Sequence, residues 1–430
     1  MHISLDSALG RQRRLNSVGE SVLQIAPNAA AAYSLRSLTG GDPKVVRVRR
    51  SSNFGELDFT SSEVSSGALT SFVNEDVELF SNDFETNTSG FTLNTGGSNV
   101  AVRNTSDGFS GSGCLQLNLT SSSNSINTVK TDTYMKDTDG VTYTVSFYAK
   151  AISGSANLVL KIGTESSSLQ QISFSENGGE WVKYSLTFVN NFGAGAGNRS
   201  QRILFAASTN NTTEWRIDDF QIVQTTSNGF VETWYDQSGN SNDVTQATAG
   251  SQPKIVSAGS LVTVGGRASF KFDGSSDFLE RETYTQGSLS QPNTFFSVAE
   301  LDAYADENRK VYDGHVSTAR NMLQLNTAGN GQFAHFAGTV AATGEDADAD
   351  RHLFTSLING ASSDLRIDGT SKATGNTASQ AMTGIVIGAN NVPTSNFWDG
   401  DIQEIIIYNS NQSSTTTAVE TNINSHYSIF

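Results

Sequence analysis

The stretch at residues 230–243 constrains the fold of this chain more than any other. It reads Phe230-Val231-Glu232-Thr233-Trp234-Tyr235-Asp236-Gln237-Ser238-Gly239-Asn240-Ser241-Asn242-Asp243. The first six residues are strand formers with large aromatic side chains, and they predict a buried β-strand. The residues that follow favour positive φ angles and hydrogen bonds from side chains to the backbone. We therefore expect a buried strand that runs directly into a tight, rigid turn.

The composition indicates an all-β protein of more than one domain. The chain has 430 residues, of which 16% are charged and 39 are glycine, and segments of alternating apolar and polar residues recur along it. Its net charge of −16 argues against nucleic acid as a partner, because phosphate binding needs clustered cations. The single cysteine, Cys114, excludes an intrachain disulfide and is expected to be a small buried apolar side chain.

Two parts of the chain together resemble a known pattern. Trp234-Tyr235-Asp236-Gln237-Ser238-Gly239-Asn240-x-Asn242, followed by Thr245-Gln246-Ala247, resembles a motif of the arabinofuranosidase B catalytic domain. Similar stretches occur in structural proteins of tailed bacteriophages. There they follow a segment like Ala31-Ala32-Tyr33-Ser34-Leu35-Arg36 and then one like Val46-Arg47-Val48-Arg49-Arg50-Ser51-Ser52. Both parts are present here, but about 150 residues separate residue 72 from residue 230, where a short connection would suffice.

The intervening segment resembles a carbohydrate-binding jelly-roll module. It opens with Asp83-Phe84-Glu85, contains Tyr143-Thr144-Val145-Ser146-Phe147-Tyr148-Ala149-Lys150, and closes with Ile217-Asp218-Asp219-Phe220. We therefore predict four parts: an N-terminal arm at 1–26, the first part of a host sandwich at 27–76, the inserted jelly roll at 77–226, and the second part of the host at 227–430. A module with adjacent first and last strands can be inserted without separating the host. Asn74 should then lie close to Asn228, and Phe72 and Phe230 should be strand residues of one sheet.

The host strands after the insertion resemble concanavalin-like and laminin-G-like sandwiches. The strand Gly400-x-Ile402-x-Glu404-Ile405 and a closing helix carry this resemblance. That helix is predicted over residues 413–427, with Thr417 and Glu420 as a capping box and Val419, Ile423 and Tyr427 on one face. Another short helix is predicted over residues 28–38. A strand at residues 45–50 should have one wet face that carries its arginines.

The resemblance to arabinofuranosidases implies two catalytic carboxylates, one as nucleophile and one as acid/base. At the corresponding positions this chain has Leu323, after Asp313-Gly314, and the amides Asn390-Asn391. An amide cannot donate a proton to a leaving group, so the chain is expected not to be an enzyme. The five histidines do not show metal-ligand spacing, and the acidic run at residues 345–350 lacks the glycine and terminal glutamate of a calcium loop.

Resemblance to carbohydrate-binding jelly rolls also implies a structural calcium ion. In similar modules the first-strand Glu and a last-strand Asp hold it, which correspond to Glu85 and Asp219 here. The sequence does not locate a sugar site. The candidate platforms are Trp181, Trp215, Trp234 and Trp398, but all of them lie in strand patterns, which favours burial.

Taken together, these resemblances imply a non-enzymatic bacteriophage virion protein, either a tail or head fibre component or a capsid decoration. It would display lectin-like domains to bacterial surface glycans and form a homo-oligomer. The arm with Arg11, Arg13 and Arg14, together with the host domain, would bind other virion proteins. Without a signal peptide or an apolar run that could span a membrane, the chain would be made in the host cytoplasm and leave it in the particle. A glycoside hydrolase acting on host surface polysaccharide, a purely architectural virion protein and a bacterial adhesin are the alternatives.

Overall fold

The computed structural model describes residues 19–91, 99–120, 126–130, 135, 140–164, 167–175, 177–190, 202–303, 308–326, 331–344 and 347–430. Strands dominate these residues, and the helices are few and short. The prediction of an all-β protein with sandwich and jelly-roll sheets, and with short helices near the N-terminus and at the C-terminus, is confirmed. The arginines of the predicted arm and residues 345 and 346 lie outside the described residues.

The helices near the N-terminus are α1 (Val22–Ile25), α2 (Ser61–Ser66) and α3 (Ala68–Val73), and α4 (Thr416–Tyr427) lies at the C-terminus. Short 3₁₀ turns occur at Ala249–Ser251 and Gly360–Ser362. Thr60 caps α2 and Gly67, with φ 88°, ends it, a conformation that glycine adopts without steric cost. Among the described residues, every helix falls short of the length and apolar character that a membrane crossing needs.

The strands before residue 229 belong to two sets. Those of the first host part are β1 (Ala31–Ser34), β2 (Lys44–Arg50) and β3 (Glu56–Thr60). Those of the segment between the host parts are β4 (Val77–Asn82), β5 (Val100–Asn104), β6 (Cys114–Leu119), β7 (Ile126–Lys130), β8 (Val141–Gly154), β9 (Leu158–Thr164), β10 (Ser167–Phe174), β11 (Val182–Asn190), β12 (Arg202–Ala207) and β13 (Thr213–Gln224).

The second host part contains the remaining strands, many of them short. They are β14 (Gly229–Trp234), β15 (Val244–Thr245), β16 (Lys254–Ser257), β17 (Ser260–Leu261), β18 (Thr263–Val264), β19 (Arg267–Ala268), β20 (Phe270–Asp273), β21 (Leu279–Arg281), β22 (Asn293–Leu301), β23 (Arg309–Gly314), β24 (Met322–Asn326), β25 (Gln332–Phe336), β26 (Val340–Ala342), β27 (His352–Ile358), β28 (Ser363–Ile367), β29 (Thr370–Gly375), β30 (Ile385–Ile387) and β31 (Asp399–Tyr408).

Host strands from both sides of the intervening segment pair with one another. One layer has the order β3-β2-β14-β16-β20-β31-β22-β27-β28-β29, with β1 also paired to β31. The other has the order β15-β21-β30-β23-β24-β25-β26, and the pairing of β14 with β15 joins the two. Phe295 of the first layer stacks on Tyr312 of the second at 4.9 Å, inside one apolar core. Host residues far apart in sequence therefore share a core.

The intervening strands form two sheets of their own. Strands β11-β8-β13-β6-β5 form a larger sheet, in which β4 also pairs with β13, and β10-β9-β12-β7 form a smaller one. Apolar residues of both sheets build a core separate from that of the host, with Phe147, Phe205, Trp215 and Phe220 buried in it. Asn74 accepts a hydrogen bond from the backbone N–H of Ser227 at 3.3 Å, so the chain leaves the host and returns to it at adjacent points. The boundaries at 77 and 226 stay predictions.

The motif after β14 is a hydrogen-bonded junction. Asp236 Oδ1 accepts from the backbone N–H groups of Ala32 and Ser238, and Oδ2 accepts from the Ser238 hydroxyl and the Asn242 N–H, all at 2.7–3.0 Å. The Gln237 amide donates to the carbonyl of Ser34 at 2.9 Å and accepts from Leu38 N–H at 2.8 Å. The predicted tight turn is present, with φ 89° at Gly239. Its polar side chains fasten the first host part to the second.

The structure corrects several local predictions. Residues 28–38 do not form a helix: Ala31–Ser34 is a strand paired with β31, and the first helix in the described residues is Val22–Ile25, inside the segment assigned to the arm. Val22 is buried against α4, so this end of the segment packs on the host. Phe72 lies in α3 rather than in a strand, where its ring packs on Phe59 at 5.5 Å.

Two further details of the host differ from expectation. Arg47 pairs with Asp58 at 2.7 Å, but Arg49 is buried and donates to Gln252, so the face that carries both arginines is only partly wet. The C-terminal helix does bury Val419, Ile423 and Tyr427 together, as predicted. The capping box is wrong, because Thr415 is the N-cap and Glu420 is a buried partner of Arg366 at 2.9 Å. Cys114 is buried, as expected, and burial raises the pKa of its thiol to about 11.

We expect the substitution Asp236→Asn to destabilise the protein by about 2–4 kcal/mol. The amide nitrogen cannot accept the hydrogen bonds that the lost carboxylate oxygen accepted, and three backbone donors lose a charged acceptor. Urea unfolding of the full chain measures the change in free energy. Asp350→Asn, which makes the same exchange at an exposed side chain, should change it by less than about 0.5 kcal/mol. Equal effects of the two substitutions would contradict the role of Asp236.

Candidate glycan-binding cleft

The larger sheet of the segment has one face in its core and one face outward. Along β8, Val141, Tyr143, Val145 and Phe147 are fully buried, while the alternate residues face out. The outward residues align with those of neighbouring strands. Tyr148 lies opposite Lys183 of β11 and Asp218 of β13, and the next row is Ser185, Ser146, Gln221 and Ser81. The outer face therefore presents an aromatic ring among hydroxyl, amide and charged groups.

Three aromatic side chains cluster at one end of this face. The Phe109 ring stacks on the Tyr148 ring with centroids 3.6 Å apart and planes at 14°, and Trp181 meets Phe109 edge-on at 6.0 Å. The Phe109 side chain is 41% exposed, although aromatic rings of this size are usually buried. Phe109 comes from the loop before β6 and Trp181 from the residue before β11, so separate segments assemble the cluster.

The loop that carries Phe109 is held by carboxylates at an irregular point in β13. Asp218 Oδ2 accepts from the backbone N–H groups of Phe109 at 2.6 Å and Ser110 at 3.2 Å. The register of β13 shifts after Asp218, and Asp219 has φ 45°. Burial raises the pKa of Asp218 in spite of these hydrogen bonds. Asp218 thus fixes the position of the Phe109 ring from below the loop.

Most cations on the outer face are neutralised by carboxylates. Lys150 Nζ lies 2.5 Å from Asp107 Oδ1 and 5.3 Å from the centroid of the Trp181 ring. Arg216 lies 2.6 Å from Glu214 and 3.6 Å from Asp107. Lys183 differs: its ammonium lies 6.0 Å from the Tyr148 ring centroid, and it forms no ion pair with a described residue.

A cleft of about 580 Å³ opens beside the aromatic cluster. It is lined by Phe80, Ser81, Asn82, Asp83, Thr86, Asn87, Ser89, Ser146, Tyr148, Lys183, Asp219, Phe220 and Gln221. Phe109 stacks on Tyr148 but does not line the cleft, so it supports the tyrosine from outside. The cleft offers the aromatic side chains of Phe80, Tyr148 and Phe220 and many groups that both donate and accept hydrogen bonds. Such a lining suits a ligand rich in hydroxyl groups.

The tryptophans considered from the sequence have different positions. Trp215, Trp234 and Trp398 are fully buried, as their strand patterns favoured, and Trp181 is partly exposed in the cluster. Sequence reasoning missed Phe109, Tyr148 and Lys183. The alternation along β8 and β11 could have placed Tyr148 and Lys183 on an outer face. No sequence signal distinguishes Phe109, because it lies in an irregular loop.

Glu85 and Asp219, the predicted calcium ligands, contact the same loop. Glu85 Oε1 accepts from Gly113 N–H at 2.7 Å and Asp219 Oδ1 accepts from the Ser110 hydroxyl at 2.8 Å. A Cβ at Gly111 would collide with the Glu85 carboxylate, so the backbone of the loop lies directly against this carboxylate. The oxygen donors suit Ca²⁺, but the described residues contain no group of three or more His, Cys, Asp or Glu placed to hold a metal ion. Main-chain oxygens and water would have to complete the coordination.

The positions aligned with the arabinofuranosidase carboxylates both lie beside β23 in the host. Leu323 is fully buried in the core and pairs with Tyr312. The backbone N–H of Asn391 donates to the neighbouring Asp313 at 3.0 Å, and Arg320 forms an ion pair with the same carboxylate. Burial raises the pKa of Asp313 in spite of Arg320. The Asp313 carboxylate beside these positions is thus buried and already paired.

The described residues define a β-sandwich protein that carries a second β-sandwich between its two host parts. Residues 78–199 match the family model described as "Carbohydrate binding domain". This match covers less than half of the chain, so it characterises the module alone. No curated protein matches the sequence.

Solved structures of low similarity accompany this match. The CBM22-1 xylan-binding domain of Xyn10C from Paenibacillus barcinonensis is 17% identical over 36% of this chain and 97% of that domain, with a TM-score of 0.26. The CBM22-1–CBM22-2 tandem of the same protein is 13% identical over 78% of this chain and 98% of the tandem, with a TM-score of 0.29. Trypanosoma rangeli sialidase in complex with sialic acid is 13% identical over 45% of this chain and 31% of the sialidase, with a TM-score of 0.33. These scores are too low for a functional inference.

We predict that Ca²⁺ raises the melting temperature of the full chain, by about 5 °C or more when its concentration is about 100 times its Kd. An ion between Glu85 and Asp219 would join both ends of the module through one loop. Calorimetry in calcium and in chelator measures the shift. Asp219→Asn should abolish it, whereas Glu214→Gln, which changes a carboxylate paired with Arg216 on the same strand, should leave it unchanged. Identical melting of the wild-type chain in both buffers would disprove the calcium site.

Proposed function

We propose that this chain is a non-enzymatic glycan-binding protein whose module holds a polysaccharide segment in the cleft beside Tyr148. One observation carries the proposal: a partly exposed aromatic cluster stands next to an open polar cleft in the module that matches a carbohydrate-binding family. Sugar rings have C–H faces that pack on aromatic rings, and hydroxyl groups that need hydrogen-bond partners. The cleft supplies both on one rigid sheet.

Polar side chains of the cleft are placed to meet sugar hydroxyls. Ser146 and Gln221 are cross-strand neighbours, and Ser81 continues the row on β4. The Gln221 amide is already oriented by Glu78, with Nε2–Oε2 at 2.5 Å, and hydrogen bonds from Ser81 and Gln221 lower the pKa of Glu78. Binding groups that are fixed in advance lose little side-chain entropy when the ligand arrives.

Tyr148 would be the stacking platform, and its surroundings hold it in place. Phe109 covers one side of the ring, and Tyr148 lines the cleft, where a sugar would stack on it. Asp218 holds the Phe109 loop through two backbone hydrogen bonds. The platform is thus rigid although Phe109 itself comes from a loop.

The host contributes no glycosidase chemistry in this proposal. Support comes from Leu323, which is an apolar core residue where the resemblance requires a nucleophile, and from Asn390-Asn391, which replace the acid/base. The nearby Asp313 is buried and paired with Arg320, so it is poorly placed to meet a sugar. Retaining hydrolysis needs two carboxyl groups on either side of the scissile bond.

The Tyr148→Ala substitution in the full chain should weaken binding of the polysaccharide ligand about tenfold, because it removes the stacking surface. Affinity electrophoresis against a polysaccharide panel, followed by calorimetry, measures this. Tyr148→Phe should keep most of the affinity, and Phe54→Ala, which removes an exposed host ring, should keep all of it. Reducing ends should not accumulate above a heat-killed control. Binding that survives Tyr148→Ala unchanged, or a wild-type chain that binds no polysaccharide, would refute the proposal.

We propose further that this glycan binder is part of a bacteriophage particle, as a tail or head fibre component or capsid decoration. The resemblance of residues 31–36, 46–52 and 234–247 to phage structural proteins supports it. In this arrangement the host domain and the arginine-bearing N-terminus bind other virion proteins, the copies form a homo-oligomer, and the module faces bacterial surface glycans. Antibodies against the module should label purified particles in electron microscopy and block adsorption to cells. Particles without label, from a lysate that contains the chain, would contradict this placement.

A further inference from the structure

We infer that Lys183 makes the cleft selective for acidic glycans, in which a sugar carries a carboxylate or a phosphate. This inference rests on the proposed glycan-binding function and adds the chemical class of the ligand. Among the described residues that line the cleft, Lys183 is the one cation. It lies opposite Tyr148 in the strand pairing, so a sugar stacked on that ring would place its substituents near the ammonium group.

Lys183 differs from Lys150 and Arg216 on this face because those two cations form ion pairs with carboxylates. Lys150 is neutralised by Asp107, and Arg216 by Glu214 and Asp107. These ion pairs connect the sheet to its loop. Because carboxylates already compensate the charges of Lys150 and Arg216, these two cations attract a ligand only weakly. Lys183 is exposed, and no described carboxylate is within ion-pair distance of it. A compact ammonium with three donors suits the oxygens of either a carboxylate or a phosphate.

Each of the two acids among the described lining residues accepts a hydrogen bond. Asp83 Oδ1 accepts from Glu85 N–H at 3.0 Å, and Asp219 Oδ1 accepts from the Ser110 hydroxyl at 2.8 Å. Both carboxylates therefore lie at the end of the cleft that β4 and β13 form. There they bind the backbone and the loop through hydrogen bonds. Lys183 lies on β11, with β8 between that strand and β13. The positive charge of the cleft therefore lies beside Tyr148, and the two carboxylates lie at the other end.

The test compares matched ligands. Oligosaccharides of uronic acids are titrated into the full chain beside the same compounds after carboxyl reduction, and phosphorylated oligosaccharides beside their dephosphorylated forms. The wild-type chain should bind the charged member of at least one pair about three to five times more tightly, which is the range of an exposed ion pair. Which pair shows the preference tells carboxylate from phosphate. The preference should shrink at about 1 M salt, where exposed charges are screened.

Variants separate this inference from the proposed function. Lys183→Gln should remove the preference, so that the charged and neutral members of a pair bind equally tightly, and Lys183→Arg should retain the preference. Tyr148→Ala should weaken both members of a pair. If the wild-type chain binds charged and neutral members equally, and Tyr148→Ala weakens both, the glycan site stands and the charge selectivity is wrong. If Lys183→Gln leaves an existing preference intact, Lys183 is not its source. If the wild-type chain binds no member of any pair, the selectivity fails together with the glycan site.

Discussion

The carboxylate of Asp236 is the constraint on which the host sandwich depends. It accepts four hydrogen bonds, one of them from Ala32, which is separated from it by more than 200 residues of chain. Closing so long a loop costs entropy, but this cost grows only slowly with length, so a set of charged hydrogen bonds in a partly buried junction can offset it. Gln237 and Asn242 extend the junction to Ser34 and Ala30. The motif that resembles a catalytic domain therefore acts structurally in the described fold.

The junction also explains why a module can lie between the host parts. Strand β2 pairs with β14 and β1 with β31, so the host core closes without strands of the module. The module has its own core and two sheets of its own. Asn74 and Ser227 meet where the chain leaves and returns. Each sandwich can thus satisfy its hydrogen bonds separately, and the outer face of the module stays available for a ligand.

Two predictions from local sequence patterns were wrong because tertiary contacts outweighed the local preferences. The alanines at residues 29–32 favour a helix, yet Ala31 and Ala32 pair with Ile407 and Ile406 because this segment completes the host sheet. Thr417 and Glu420 have capping-box spacing, but Glu420 is held by Thr355 and Arg366 inside the host. In both places a contact remote in sequence decided the structure, and no window of neighbouring residues contains it.

The sequence by itself determined the all-β class, the strand and turn at residues 230–243, and the alternation that buries Phe147 and turns Tyr148 outward. These properties follow from side-chain periodicity and backbone preference, which are local. Only the tertiary structure decided that Tyr148 and Lys183 meet at one cleft, that Phe109 stacks on Tyr148 beside it, and that Trp181 is the tryptophan of this cluster. A loop, a central strand and a neighbouring strand contribute these side chains. Their proximity depends on strand pairing and on the hydrogen bonds that the loop donates to Asp218. Local preferences do not encode these contacts.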